Sequence, residues 1–152
     1  MFTFVHQLIR MIYKRYFPPK IFNDFLKNQN DRLDYSILGY SVNDLPIYEL
    51  NLGTGKKRIL MWSQMHGNES TTTKALLDFI PWLLDSNQNN LLNAFTFYII
   101  PQLNPDGAEA YTRLNANQFD LNRDAIELSQ PESLLLRNAY DRITPDYALN
   151  LH

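Results

Sequence analysis

Apolar positions along this chain fall into two kinds of run. Residues 58–64 (RILMWSQ) and 94–100 (AFTFYII) are nearly continuous apolar stretches bounded by turn residues. That pattern predicts strands buried on both faces. Residues 35–40 and 45–52 read as two further strands joined by a turn at 41–44, and 147–151 as a last one. The other kind repeats at helical spacing. Leu76, Leu77, Ile80, Leu83 and Leu84 predict a helix over about 70–84, with Pro81 expected to kink it or end its well-formed part. Residues 130–142 predict another helix, with Pro131 suited to its first turn. Shorter helical pieces are expected at 21–29 and about 108–111, and the SNQNN segment (86–90) reads as a polar loop.

Strands alternating with helices predict an α/β fold: a mixed, largely parallel central sheet flanked by helices. Sites in such sheets lie outside the carboxyl ends of the strands. His66 follows one predicted strand, Asn104-Pro105-Asp106-Gly107 follows another, and His152 ends a third. Aromatic residues such as Trp62, Phe79 and Trp82 read as core.

The first 30 residues are expected to form a separate helical segment. Phe4, Leu8, Met11 and Ile12 share one side of a short amphipathic pattern, which Pro18-Pro19 ends. Docking on the protein itself is favoured there over contact with a membrane surface. The charges Arg10, Lys14 and Arg15 follow the apolar stretch rather than precede it, which is not the pattern of a secretory signal. No stretch has the ~18–20 apolar residues of a bilayer span. Together these features point weakly to the cytoplasm.

Composition narrows the chemistry. The 152 residues suit one domain of ordinary size. A net charge of -2 leaves no basic footprint for nucleic acid. Without cysteine there is no disulfide, thiolate metal site or Cys nucleophile, so a transition-metal site must use His, Asp and Glu. The three histidines are His6, His66 and His152. His66 and Glu69, three residues apart at a strand-to-helix turn, can converge on one ion. With His152 they would make a His₂Glu set, which suits catalytic zinc. His6 lies in the N-terminal segment and is a poor candidate. H-x-x-E alone is a weak pattern.

Further motifs change the weight of that one. After HGNE at 66–69 come NPDG at 104–107, Arg113-Leu114-Asn115-Ala116-Asn117, and Asp120-Leu121-Asn122-Arg123. With a distant strand-end histidine, this ordered set resembles the zinc metallocarboxypeptidase family, the carboxypeptidase A-like peptidases, over about residues 35–152. The resemblance implies one Zn²⁺ per chain held by His66, Glu69 and His152. It implies that Asn122 and Arg123 bind the C-terminal carboxylate of a peptide or protein substrate, a task for which a planar guanidinium is well shaped. It implies that Arg113 polarises the scissile carbonyl. The reaction would be metal-assisted hydrolysis of the C-terminal peptide bond.

Two departures qualify the expectation. The family's general-base glutamate and a substrate-contacting tyrosine lie downstream of the third ligand, beyond His152. Glu109, Glu127 and Glu132 do not occupy the base's place in the pattern. Residues 31–152 are therefore expected to be the first half of a longer catalytic domain, with low activity alone. Gln118 stands where relatives commonly have glycine, so a left-handed backbone there would be strained. The alternatives are a related zinc amidohydrolase acting on N-acyl amino acids, and a non-catalytic fragment that binds zinc or a peptide C-terminus.

Overall fold

The computed structural model describes residues 16–28 and 33–152. The amphipathic pattern over Phe4 to Ile12, and His6 with it, lies outside the described residues. The elements are α1 (Pro19–Asn28), β1 (Asp34–Tyr40), β2 (Pro46–Leu52), β3 (Lys57–Ser63), α2 (Thr71–Leu83), α3 (Asn89–Ala94), β4 (Phe95–Ile100), α4 (Pro105–Ala110), α5 (Pro131–Ile143) and β5 (Tyr147–Leu151). Single 3₁₀ turns occupy Ser86–Gln88 and Leu121–Arg123.

The five strands form one mixed sheet in the order β1-β2-β4-β3-β5. β1 and β2 are antiparallel, as are β2 and β4. β4, β3 and β5 run parallel, with Leu60 opposite Tyr98 on one side and Ala148 on the other. Alternation along each strand sends successive side chains to opposite faces. Ile59 and Met61 of β3 join Phe97 and Ile99 of β4 in a core covered by α1 and α2. Leu60, Tyr98 and Ile100 face the other way, into a core closed by Leu135, Leu136, Ala139 and Ile143 of α5. β3 and β4 are thus covered on both faces, as their continuous apolar runs require.

The helix over Thr71–Leu83 ends two residues after Pro81, which falls in its last turn, where Leu84 N still bonds to Ile80 O at 3.1 Å. Two local expectations are corrected. The polar 86–90 segment is not an irregular loop: a 3₁₀ turn leads into α3, whose Leu91 and Leu92 pack against the core. Burial of those two leucines outweighs the weak helix propensity of the asparagines. Trp82 is 49% exposed rather than core and stacks on Phe79 at a centroid distance of 5.7 Å. Trp62 is partly buried and, with Leu60, Met65, Leu128 and Tyr140, lines a cavity of about 410 Å³. Among the described residues β5 bonds to β3, and it exposes Tyr147 and Leu149.

Two features hold the loops at the carboxyl ends of the strands. The first is a backbone contact. A Cβ on Gly67 would lie 1.9 Å from Gly107 C, and one on Gly107 would lie 2.7 Å from Leu114 O. Only glycine lets these three segments meet. The second is a set of carboxylate and amide bonds across residues 111–130. Asp124, 2% exposed, accepts hydrogen bonds from Ser129 N at 2.9 Å, Ser129 Oγ at 2.7 Å and Gln130 N at 2.8 Å. Burial pushes the Asp124 carboxyl up, but the bonds from Ser129 and Gln130 outweigh it and hold it below the usual range. Gln118 does adopt the left-handed backbone, at φ 63°, as the glycine of relatives suggested.

Two predictions follow from these contacts. Gly67→Ala should destabilise the protein by about 1–3 kcal/mol, as overpacking does. Thermal melting should fall by roughly 2–4 °C per kcal/mol, and an unchanged melting temperature would show that the backbones can separate without cost. Because the folded-state pKa of Asp124 is depressed, its contribution is present above the unfolded value of about 3.9. That contribution disappears as pH falls through the still lower folded value. Asp124→Asn should therefore reduce stability near neutral pH and flatten its acid limb, as measured by urea unfolding at several pH values.

Candidate metal centre

The parallel alignment of β3 and β5 sets the geometry. Ser63 pairs with Leu151 at the end of the ladder, so the residues that follow each strand emerge side by side. His66 is reached through a tight turn in which Gln64 takes φ 51° and Glu69 N bonds to His66 O at 3.0 Å. Gln64 is 1% exposed and is held on three sides. Its Nε2 donates to Gly67 O at 2.7 Å, and its Oε1 accepts from Gln102 Nε2 at 2.9 Å and Thr73 Oγ1 at 2.9 Å. Asn104, the N-cap of α4, donates from Nδ2 to Met65 O at 3.2 Å and accepts from Gly107 N at 2.8 Å. Thr72 Oγ1 at the start of α2 donates to Leu151 O at 3.1 Å, which ties the end of β5 to the same corner. Buried polar groups that are fully bonded in this way rigidify the loop they support.

His66, Glu69 and His152 meet at this corner. Each offers one ligand atom, and these atoms all lie within 4.8 Å of one another. Glu69 Oε2 stands 3.1 Å from His66 Nδ1 and 2.8 Å from His152 Nδ1. The two imidazole rings are 4.7 Å apart. His66 is fully buried, whereas the side chains of Glu69 and His152 are 36% and 37% exposed. Two imidazole nitrogens and one carboxylate oxygen, with one side open to solvent, are a donor set that fits zinc. Burial pushes the Glu69 carboxyl up, but hydrogen bonds and charge from His66 and His152 outweigh it and hold the group ionised to lower pH than usual.

Asp120 completes the cluster. Its Oδ1 lies 2.9 Å from His66 Nε2 and accepts from Asn122 N at 3.0 Å. With an ion in the cluster, an Nε2–H donated to Asp120 would leave the Nδ1 lone pair of His66 free to bind it. Carboxylates commonly orient metal-binding histidines this way. Burial raises the Asp120 pKa, and the bonds from His66 and Asn122 with the charges of His66 and Arg113 bring it below the usual range. Reading Asp120-Leu121-Asn122-Arg123 for its substrate-binding end alone overlooked this residue. The signal for it is that a ligating imidazole needs a partner for its second nitrogen.

Arg113 lies over the cluster. Its Nη1 is 3.3 Å from Glu69 Oε1 and its Nη2 is 3.3 Å from Asp120 Oδ2. The guanidinium is 47% exposed, so solvent screens both pairs and they are weak enough to be exchanged. Asn122 and Arg123 sit in the 3₁₀ turn capped by Asp120. Arg123 is exposed and makes no ion pair among the described residues; its Nη1 reaches only Asn122 O, at 3.5 Å. Glu109 and Glu127 are exposed, whereas Glu132 is fully buried. Among the described residues, no helix is long and apolar enough to cross a membrane.

Comparison with known proteins places the chain in a family. The zinc carboxypeptidase family model matches residues 20–134. Carboxypeptidase 2 of Trichophyton tonsurans is 26% identical over 132 residues, covering 85% of this chain and 24% of the relative. A metallo-carboxypeptidase from Burkholderia cenocepacia superposes with a TM-score of 0.78 at 25% identity, over 90% of this chain and 41% of that one. A metallo-carboxypeptidase from Pseudomonas aeruginosa, solved with (2-guanidinoethylmercapto)succinic acid, matches with a TM-score of 0.78 at 21% identity, over 90% of this chain and 40% of that one. The chain thus spans about a quarter of the sequence relative's length and two fifths of each solved structure's. On the match to residues 20–134, the chain belongs to the zinc carboxypeptidase family.

Proposed function

We propose that this chain carries the metal-binding and carboxylate-binding part of a carboxypeptidase site, acting on the C-terminal peptide bond of a peptide or protein. The observation that carries the reading is the convergence of His66, Glu69 and His152 within 4.8 Å at the ends of two adjacent parallel strands. These three residues would hold one zinc ion, with Asp120 fixing the tautomer and orientation of His66. When bound, the ion would polarise the scissile carbonyl and acidify a water.

The remaining roles belong to the chain's own cations. Arg113 exchanges one of its weak pairs, to Glu69 or Asp120, for the carbonyl oxygen as negative charge develops on it. A cation already held beside that oxygen favours the transition state over the ground state. Arg123, exposed and unpaired among the described residues, takes the substrate's terminal carboxylate in a forked pair, and the Asn122 amide adds a further hydrogen bond. The bound (2-guanidinoethylmercapto)succinic acid of the Pseudomonas structure is a carboxylate ligand, which agrees with a site of this kind. None of Glu109, Glu127 and Glu132 is placed to act as general base. The first two are exposed outside the cluster, and the Glu132 oxygens are occupied by Val42 N at 3.3 Å and Asn115 Nδ2 at 3.1 Å.

Zinc titration of the purified protein tests this reading. About one equivalent should bind, and His66→Ala, Glu69→Ala and His152→Ala should each abolish or greatly weaken binding. Asp120→Asn should weaken it by roughly 10–100-fold, the usual cost of losing the partner of a ligating histidine. Zinc content unchanged in both His66→Ala and Glu69→Ala would overturn the assignment.

A further inference from the structure

The loop that carries Arg113 is tied to the amino end of α5 by buried polar side chains whose role is not accounted for by the metal centre. Asn115, two residues beyond Arg113, is 1% exposed. Its amide hydrogens go to Gln130 Oε1 at 2.9 Å and Glu132 Oε2 at 3.1 Å, and its Oδ1 accepts from Phe119 N at 2.9 Å. Asn115 N bonds to Phe119 O at 3.0 Å, and Gln118 N to Asn115 O at 3.0 Å. Asn117 Nδ2 reaches the same Gln130 Oε1 at 2.9 Å. Glu132, fully buried in the first turn of α5, also accepts from Val42 N in the turn between β1 and β2.

The arrangement is costly by itself. A carboxyl group has been taken entirely out of water, and no cation pairs with it among the described residues. Burial raises its pKa and the charge of Asp106 adds to the rise, while its own backbone N–H, Asn115 and Val42 pull the other way. Such a group makes sense where its two acceptor oxygens fix two segments at once. The segments it fixes are the turn at Val42 and the loop whose other end presents Arg113 to Glu69 and Asp120.

We propose that Glu132 is a positioning residue for Arg113: through Asn115 it fixes the loop that aims the guanidinium at the His66–Glu69–His152 cluster. The proposal rests on the role given to Arg113 above. A glutamine at this position replaces one acceptor oxygen with an NH₂ group. That group must face either the Val42 N–H or the Asn115 NH₂, so one of the two ties is lost. Arg113 then loses its fixed approach, although no atom of Glu132 touches it.

The test is read by NMR on the metal-free protein, so a failure of zinc binding is scored separately and bears only on the proposed function. The Arg113 Nε–H signal is identified by its disappearance in Arg113→Lys. In Glu132→Gln that signal should move to the position of a freely exposed arginine. Exchange of the Phe119 amide should accelerate by about tenfold or more, while β3 and β4 amides keep their protection, the signature of local opening. Gln130→Ala removes the other acceptor of Asn115 and should do the same, and it serves as the reading if Glu132→Gln does not fold. An unmoved Arg113 signal in a folded variant would overturn the proposal. So would uniform acceleration of all amides, which would show that Glu132 supports global stability only.

Discussion

Backbone contact between Gly67 and Gly107 sets how closely the loop after β3 and the helix after β4 can approach. A single added carbon at Gly67 would lie 1.9 Å from the neighbouring chain. Parallel strands bring their carboxyl ends to one edge of the sheet, but that alone leaves the loops free to splay. The glycine contact draws them together, and Leu114 O packs against Gly107 from the next segment. Buried amides of Gln64, Gln102 and Asn104 then lock the loop in that position. His66 is fully buried because the chain around it has no slack.

The charges at the corner are arranged in layers. Asp120 faces the far nitrogen of His66, Glu69 lies between the two histidines, and Arg113 spans the two carboxylates from the solvent side. Each carboxylate is held ionised by its neighbours in spite of burial. Negative charge is thereby concentrated where a cation would be held, with a solvent-exposed positive group beside it. The inner members of the cluster are rigid and the outer ones are exchangeable, an order that suits a site that keeps its ion and turns over its ligand.

Much of this was legible in the sequence, for a physical reason. Two short apolar runs bounded by turn residues suit interior strands, and when such strands are parallel the polar residues directly after them emerge at one edge of the sheet. That logic places His66, the 104–107 turn and His152 in one neighbourhood before any contact is known. Contacts across long separations were not legible. Asp120 meets His66 over 54 positions and Glu132 meets Val42 over 90, and no local pattern encodes either pairing. The helical character of residues 89–94 was hidden by asparagines, because two leucines settle the conformation through burial. The left-handed φ of Gln118 is not visible in the glutamine itself; only the glycine common in relatives raised that conformation.

The placement of His152 has a consequence of a different kind. It follows the last residue of β5, which among the described residues is hydrogen-bonded to β3. One member of the cluster thus comes from a strand, while the other two come from a clamped loop after its neighbour. Any ligand that bridges the corner would therefore act as a staple between β5 and that loop. Occupancy and strand order become two readings of one equilibrium: what holds β5 against β3 raises affinity, and what binds the corner stabilises that pairing by the same free energy.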